Sequence, residues 1–283
     1  MKRTSHISEL RKIIAQERSR GRIIALIPTM GYLHQGHLAL VEQAKQTGAF
    51  IVLSIFVNPL QFGPNEDYSR YPRDLERDAY LVEAAGVDAL FHPTAEEMYP
   101  RPLVTYVEVG ELDAVLCGAK RPGHFRGVAT VVSKLFHIVQ PDLAFFGQKD
   151  YQQYLIIRRM VSDLNLPLEV CPVPIVREQD GLALSSRNVF LTSDQRREAV
   201  VLFQSLNEAE RLWRAGERSA RVLETRIREK ITGESRGLID YVEVRDAQDL
   251  SEVSKIENPV LLALAVRFGP TRLIDNKVLE VEP

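Results

Sequence analysis

Two histidines three residues apart, His34 and His37, follow the first apolar run of the chain. They lie in the segment MGYLHQGH (30–37), where Gly31 permits a turn and Gly36 lacks the Cβ that would keep a flat base away from the backbone. Imidazoles beside a polyphosphate gain proton affinity and donate charge-assisted hydrogen bonds. A helix that begins here would add free N–H groups. Taken alone, the pattern is equally typical of a glycine-rich turn with two partly exposed histidines.

A second polar segment, ALSSRN (183–188), follows another strand-like run. Its two hydroxyls, backbone amides and guanidinium group suit the binding of a leaving pyrophosphate. By itself, such a segment is more typical of a polar linker. Lys149, in GQKD (147–150), is a further positive charge after a strand, and alone it is typical of a surface lysine in a turn. The combination of these segments favours a nucleotide site.

The elements that must position these groups alternate between apolar strand-like runs and helical patterns. Such alternation predicts an α/β fold with a Rossmann-like parallel sheet that is covered by helices on both faces. Ligands bind such sheets at the carboxyl ends of the strands, where these polar segments lie. The predicted strands are 22–29, 49–57, 87–91, 106–109, 142–146 and 168–176, and the clearest helical patterns are 74–86, 128–139 and 151–164.

The pattern changes near Val176, which predicts a first domain over 1–176 and a smaller α+β domain over 177–283. Thr192 and Gln195 are spaced for a capping box that opens a long amphipathic helix. A second helix with Leu223, Ile227 and Ile231 on one face follows it. The predicted strands 241–244 and 261–268 close the chain.

Composition excludes several classes of protein. There are 36 Lys and Arg residues and 38 Asp and Glu residues, so the net charge is −2, and no global basic field would gather nucleic acid or an anionic membrane. Cys117 and Cys171 form no CxxC pair, which argues against a disulfide framework or a cysteine zinc site. The sequence has no signal-peptide pattern and no apolar run of membrane-spanning length, so the predicted location is the cytoplasm.

The histidine and Ser-Ser-Arg segments resemble the HIGH and KMSKS signatures of the nucleotidyltransferase superfamily, which includes class I aminoacyl-tRNA synthetases. More narrowly, the chain resembles the pantoate–β-alanine ligase family. The matching stretches occur in the family's order and cover most of the first 190 residues. They are PTMGYLHQGH (28–37), FVNPLQFGPNEDYSRYPR (56–73), RPGHFRGVATVV (121–132), FFGQKDYQQ (145–153) and VREQDGLALSSRN (176–188).

The resemblance implies condensation of pantoate with β-alanine through a pantoyl adenylate, with Mg-ATP as the activating third substrate, and it implies a homodimer. It gives His37 an acid role, places Lys149 on phosphate and Asp150 on the ribose, and places Gln61 and Gln153 on pantoate. Asp74 is a weaker candidate for a Mg²⁺ ligand. The expected catalytic residues are His34, His37, Lys149, Ser185, Ser186 and Arg187. The expected ATP-binding residues are these six with Met30, Gly31, Tyr32, Leu33, Gln35, Gly36, Gly147, Gln148, Asp150, Val176 and Leu184.

Two residues depart from the family pattern: Leu184 stands where Met is common, and Gln148 stands where Glu is common. Three alternatives stay open on sequence alone. One is a nucleotidyltransferase of the same superfamily that stops after nucleotidyl transfer. The others are a tRNA-charging or tRNA-binding relative and a non-catalytic nucleotide sensor. The absence of Walker A and GxGxxG motifs disfavours an ordinary kinase or a dehydrogenase.

Overall fold

The computed structural model describes residues 1–64 and 66–281. The strands are β1 (Lys2–Thr4), β2 (Ile24–Thr29), β3 (Phe50–Ile55), β4 (Ala89–Phe91), β5 (Leu143–Gly147), β6 (Glu169–Val173), β7 (Leu238–Asp246), β8 (Val260–Phe268) and β9 (Thr271–Leu279). The helices are α1 (Ile7–Ser19), α2 (Gln35–Gln46), α3 (Leu75–Ala85), α4 (Ala95–Met98), α5 (Leu116–Lys120), α6 (His124–Val139), α7 (Tyr151–Asp163), α8 (Ser193–Glu198), α9 (Val201–Arg214) and α10 (Ala220–Glu234). Short 3₁₀ turns occupy Pro59–Gln61, Gln148–Asp150 and Ser186–Phe190.

A six-stranded sheet forms the first part of the molecule, in the order β1-β4-β3-β2-β5-β6. Every neighbouring pair is parallel, so the carboxyl ends of the strands share one edge. The segments after β2, β3 and β5 therefore begin side by side, although more than a hundred residues of sequence separate the first from the last. The predicted fold class is confirmed.

Alternating side chains of β2 show how this sheet is covered on both faces. Ile24 and Leu26 belong to one core cluster, which includes residues of α1, α6 and α7. Ala25 and Ile27 belong to another, which includes residues of α2 and α3. All four are fully buried, which explains why the strand is a continuous apolar run rather than an alternating one.

The last part of the chain forms a three-stranded antiparallel sheet, β7-β8-β9. Leu206 of α9, Leu223 of α10 and Leu262 of β8 belong to one cluster and are fully buried. Leu261 and Ala263 alternate with Leu262 and join the core of the first part instead. The two sheets therefore share apolar packing. The domain boundary at Val176 stays a prediction.

The structure differs from the predicted elements in three respects. Residues 106–109 are not a sheet strand: the Val107 N–H donates to Thr130 Oγ1 (3.0 Å) of α6, and the segment packs on the core without a strand partner in the described chain. Strands β1 and β9 were not predicted, because β1 is very short and β9 carries several charged residues. The predicted helix after Thr192 begins with the expected capping box but divides into α8 and α9. No helix in residues 1–64 and 66–281 is long and apolar enough to cross a bilayer.

A buried ion pair ties the segment after β6 to the second sheet. The Arg177 guanidinium donates to both carboxylate oxygens of Asp275 in β9 (2.6 and 2.9 Å), and the Asp275 side chain is 1% exposed. Because a buried charge that loses its partner is strongly destabilising, this pair should matter far more than pairs at the surface.

We expect Asp275→Asn to lower the free energy of unfolding by about 3 kcal/mol, since it leaves the Arg177 guanidinium, which is only 20% exposed, without a counter-ion. Urea denaturation followed by circular dichroism measures this loss. The matched control is Asp163→Asn, which removes the exposed pair with Arg159 (2.8 Å). That control should change stability by no more than about 0.5 kcal/mol. Equal effects of the two substitutions would contradict the role given to the buried pair.

Candidate active site

The segment after β2 makes a left-handed turn before α2 begins. Gly31 has φ +81° and Tyr32 has φ +50°. A Cβ on Gly31 would lie 2.9 Å from Ile55 Cγ2 and 3.1 Å from Asp78 Oδ2. Glycine is therefore required here by the backbone conformation and by the close approach of β3 and α3.

A carboxylate from α3 holds this turn. Asp78 is 1% exposed and accepts hydrogen bonds from the N–H groups of Tyr32 (2.5 Å) and Leu33 (2.8 Å). Arg77 donates to Asp78 Oδ1 (3.1 Å) and to the Leu33 carbonyl (2.9 Å). Burial raises the pKa of Asp78, and the two N–H groups and the Arg77 charge oppose that rise. Sequence reasoning missed Asp78, although an acidic residue on the apolar face of a helix is a usable signal.

The two histidines cap α2 reciprocally. His34 Nδ1 accepts from the Gly36 N–H (3.1 Å), and His37 Nδ1 accepts from the His34 N–H (3.3 Å). Because each Nδ1 is an acceptor, each ring carries its proton on Nε2 when neutral. The ring centroids are 4.1 Å apart. A Cβ on Gly36 would lie 2.9 Å from the His34 ring, so this glycine makes room for the imidazole.

Both imidazoles are neutral in the free protein near pH 7. Burial and then the charge of Lys149 lower the pKa of His34 to about 4, and Asp150 opposes that change. Burial, then His34, then Lys149 keep the pKa of His37 well below 6.5. In the free protein the pKa values of both histidines are lowered, not raised. The gain in proton affinity expected from the sequence therefore applies only to a state with phosphate bound.

Lys149 and Asp150 follow β5, and their charges act on the histidines that follow β2. Lys149 Nζ lies 3.7 Å from Asp150 Oδ1. Strand β9 holds the turn that carries them, because Asn276 Nδ2 donates to the carbonyls of Gln148 (3.0 Å) and Lys149 (2.8 Å). Asn276 is 6% exposed and was not predicted. The second sheet thus fixes a loop of the first.

The Ser-Ser-Arg segment contacts the histidine turn directly. Ser186 Oγ donates to the Tyr32 carbonyl (3.2 Å), across 154 residues of sequence. A Cβ on Gly36 would lie 3.8 Å from Leu184 Cβ, so Leu184 also approaches this turn. Ser185 Oγ accepts from the Arg187 N–H (3.3 Å), and the Leu184 N–H donates to the Val176 carbonyl (3.0 Å).

Gln61 lies beside Met30, at the end of a 3₁₀ turn after β3. Gln61 Oε1 accepts from Asn58 Nδ2 (3.1 Å), whereas the only hydrogen bond of Gln61 Nε2 among the described residues is to the thioether of Met30 (3.1 Å). Thioether sulfur is a weak acceptor, so this amide N–H₂ can donate more strongly to a ligand. Asn58 is 1% exposed and also accepts from Tyr99 Oη (2.8 Å).

Helix α6 supports this turn at very close range. A Cβ on Gly127 would lie 2.2 Å from the Leu60 carbonyl oxygen and 2.7 Å from the Gln61 N atom. Gln61 can occupy its position only because residue 127 has no side chain. The Asn58 side chain also donates to the Gly127 carbonyl (3.1 Å), which fixes the two segments together.

A cavity of about 560 Å³ opens between the two sheets. Several predicted residues line it: Lys149, Asp150, Gln153, Ser185 and Arg187. His34 and His37 are not among its lining residues, although the Lys149 charge reaches both. Leu33 is fully buried, so only its backbone could serve a ligand, and Gln35 is exposed.

Asp74 is the one predicted metal ligand. It is exposed, and it caps α3 by accepting from the Arg77 N–H (3.1 Å). The described part of the chain holds no group of three or more His, Cys, Asp or Glu side chains that could hold a metal ion. The capping bond gives Asp74 a structural role, and its role as a metal ligand stays a prediction.

Residues 2–278 of this chain match the family model for pantoate-beta-alanine ligase. A pantothenate synthetase of Desulfitobacterium hafniense is 68% identical over 274 residues, which are 97% of each chain. The crystal structure of a pantothenate synthetase from Thermus thermophilus is 49% identical, with a TM-score of 0.94 and full coverage of both chains.

A second solved relative, the pantoate-beta-alanine ligase of Francisella tularensis, was crystallised with beta-gamma ATP and β-alanine. It is 32% identical to this chain, with a TM-score of 0.80, and the match covers 98% of this chain and 97% of that one. The family match spans both sheets and every segment that forms the cavity. The chain therefore belongs to the pantoate–β-alanine ligase family, the ligases that make pantothenate.

Proposed function

We propose that this ligase works in two steps on ATP. Pantoate's carboxylate attacks the α-phosphorus of ATP, which forms a pantoyl adenylate and releases pyrophosphate. The amine of β-alanine then attacks the acyl carbon, which forms the amide of pantothenate and releases AMP. The observation that carries this proposal is the hydrogen bond between Ser186 and the Tyr32 carbonyl, because it joins the two phosphate-facing segments at one site.

The first step needs donors that are aimed at the phosphates before charge develops there. His34 and His37 suit this role as neutral rings, since both Nδ1 atoms are occupied and both Nε2–H groups remain. Lys149 adds a positive charge that acts on the same space. Ser185, Ser186 and Arg187 take the pyrophosphate, and Asp150 takes the ribose hydroxyls.

Pantoate needs partners for a hydroxyl and a carboxylate without an added charge. Gln61 suits it, because its N–H₂ group has only the weak Met30 sulfur as a partner in the described chain. Gln153 follows β5 and lines the cavity. These two amides would hold pantoate while its carboxylate is directed at the α-phosphorus.

Mg²⁺ accompanies ATP in this proposal. The described side chains near Lys149 form no carboxylate cluster, and Glu66 and Asp67 of the cavity wall are paired with arginines. An ion that takes its oxygen ligands from phosphates and water does not need such a cluster.

An acyl adenylate is easily hydrolysed, so the site must exclude water until the amine arrives. We give this task to the domain over 177–283, whose strands β8 and β9 line one side of the cavity. The segment 183–188, which touches the histidine turn, would move with nucleotide binding.

A homodimer is also part of the proposal. The segment from Val104 to Val109 belongs to no helix or strand, and Val104 is 91% exposed. Within the described chain, residues 101–109 make no backbone–backbone hydrogen bond. An exposed segment whose backbone groups have no backbone partner in the described chain supports pairing with a second copy.

The proposed reaction predicts a defined pattern of product release. With ATP, Mg²⁺, pantoate and β-alanine, AMP and pyrophosphate should form in equal amounts, and omission of pantoate should abolish both. Omission of β-alanine should limit pyrophosphate to about one equivalent per site, because the adenylate stays bound. Chromatography of the nucleotides measures this pattern. A stable nucleotide conjugate without β-alanine-dependent AMP would instead identify a simple nucleotidyltransferase.

The neutral histidines predict that the pH profile of kcat/KM for ATP is flat on its acid side. Because the pKa of His34 is lowered to about 4, its ring should stay in the neutral Nε2–H form from about pH 7.5 to about 5. The value of kcat/KM for ATP should therefore be constant over the same range. Long-range ¹H–¹⁵N NMR reads the tautomer and the titration midpoint. In the unfolded chain His34 binds a proton near pH 6.5, whereas in the folded protein it does so only near pH 4. Its contribution to the free energy of unfolding is therefore complete above about pH 6.5 and is lost as the pH falls toward about 4. That decline should be shallower in His34→Gln. A midpoint above about 6 would contradict this assignment.

The close packing under Gln61 predicts a selective defect. Gly127→Ala should displace the Pro59–Gln61 turn and raise KM for pantoate by roughly tenfold or more, with much less effect on KM for ATP. Steady-state kinetics with each substrate varied in turn measures this split. Gly233→Ala is the matched control, since a Cβ there meets nothing within 4 Å. Unchanged pantoate kinetics in Gly127→Ala would refute the role of Gln61.

A further inference from the structure

A surface segment between β3 and α3 brings two adjacent carboxylates into the cavity. We call residues 66–73 the strap. Its first two residues, Glu66 and Asp67, both line the cavity between the sheets. The strap closes on itself at its other end, because Arg73 donates to the carbonyls of Tyr68 (2.9 Å) and Tyr71 (2.8 Å). Its shape therefore does not depend on the two carboxylates alone.

Each carboxylate of the strap holds one arginine of the cavity in a two-pronged ion pair. Asp67 accepts from Arg187 Nε (3.0 Å) and Nη2 (3.1 Å). Glu66 accepts from Arg121 Nε and Nη2 (both 2.6 Å). The two arginines come from different walls, since Arg187 follows the domain junction and Arg121 precedes α6.

These pairs are partly buried rather than superficial. The side chains of Arg187 and Asp67 are 28% and 23% exposed, and those of Arg121 and Glu66 are 18% and 26% exposed. The Arg187 guanidinium also lies 5.6 Å from the centre of the Tyr71 ring. Burial alone would raise the pKa of Glu66, yet its hydrogen bonds and the Arg121 charge lower it overall.

A carboxylate and a phosphate bind the same N–H edge of a guanidinium group, because both accept two parallel N–H bonds. Asp67 occupies the Nε–Nη2 edge of Arg187, so a pyrophosphate can take that edge only by displacing the carboxylate. The same holds for Arg121, whose Nε–Nη2 edge is occupied by Glu66 and would have to be released to a ligand carboxylate or phosphate. Arg121 is further fixed by a contact between its Nη1 and His124 Nε2 (2.9 Å).

We propose that Asp67 and Glu66 are internal counter-ions that occupy Arg187 and Arg121 in the free protein, and that an incoming anionic group of the substrates displaces them. This rests on the proposed function, which gives Arg187 to the pyrophosphate. The strap then sets the affinity of the cavity for polyanions. It keeps both arginines oriented without a ligand, and it helps pyrophosphate leave by taking Arg187 back.

The test measures the binding of inorganic pyrophosphate by isothermal titration calorimetry. Asp67→Asn removes the competing charge, so pyrophosphate should bind about tenfold more tightly. Arg187→Gln should weaken binding by about tenfold or more. In the double variant, Asp67→Asn should change the affinity by no more than about twofold, because the arginine for which it competes is absent.

The matched control is Asp163→Asn, which neutralises an exposed carboxylate paired with Arg159, outside the residues that line the cavity. It should leave pyrophosphate affinity unchanged. Weaker or unchanged binding in Asp67→Asn, with weak binding in Arg187→Gln, would overturn the counter-ion role and leave the proposed function intact. Unchanged binding in Arg187→Gln would overturn the role of Arg187 and the present inference with it.

A second measurement uses the unaltered protein, so it does not depend on the folding of a variant. Addition of pyrophosphate alone should speed the hydrogen exchange of amides in the strap, since its carboxylates lose their partners. Exchange in α10, remote from the cavity, serves as the internal reference. Slower or unchanged exchange in the strap at saturating pyrophosphate contradicts displacement.

Discussion

The buried carboxylate of Asp78 fixes the turn on which both candidate phosphate-binding segments depend. It accepts the N–H groups of Tyr32 and Leu33, and so stabilises a left-handed turn that a non-glycine residue at 32 would otherwise avoid. The turn ends at His34, which caps α2, and its Tyr32 carbonyl receives Ser186. The orientation of the imidazoles and the docking of the Ser-Ser-Arg segment thus share one structural support.

The second sheet lines the cavity and also holds loops of the first part in place. Asn276 holds the carbonyls of the Lys149 turn, and the neighbouring Asp275 holds Arg177. Leu261 and Ala263 also pack into the core of the first part. A rigid opening of the whole sheet would break all of these contacts together. Movement that admits substrates is therefore easier for the strap and for 183–188, which are held at the cavity by hydrogen bonds and ion pairs rather than by such core packing.

The sequence was sufficient for the parallel sheet, and the roles of the candidate site segments stay predictions. Periodicity indicated the buried strands, and a parallel sheet places the segments after β2 and β5 at one edge. The supporting residues were not predictable in the same way. Asp78, Asn58 and Asn276 act through partners that are distant in sequence, and a lone polar residue gives no indication of its partner.

The sequence predictions that were wrong or missing also have physical causes. Residues 106–109 have the composition of a strand, but their inward side chains pack on the core and leave the backbone without a sheet partner in the described chain. Strand β9 buries the polar pair Asp275 and Asn276, so its pattern does not show apolar alternation. The pairing of Arg187 with Asp67 was also unforeseen, since sequence alone assigns an arginine to a ligand or to a carboxylate equally well.

The central claim is that segments from three parts of the chain meet on one triphosphate. A crystal structure with a non-hydrolysable ATP analogue tests it most directly. The account predicts phosphate oxygens within hydrogen-bonding distance of His34 or His37 Nε2, of Lys149 Nζ and of the Ser186–Arg187 segment in the same molecule. An analogue bound in the cavity with its phosphates remote from the histidines, or from the serine–arginine segment, would contradict it.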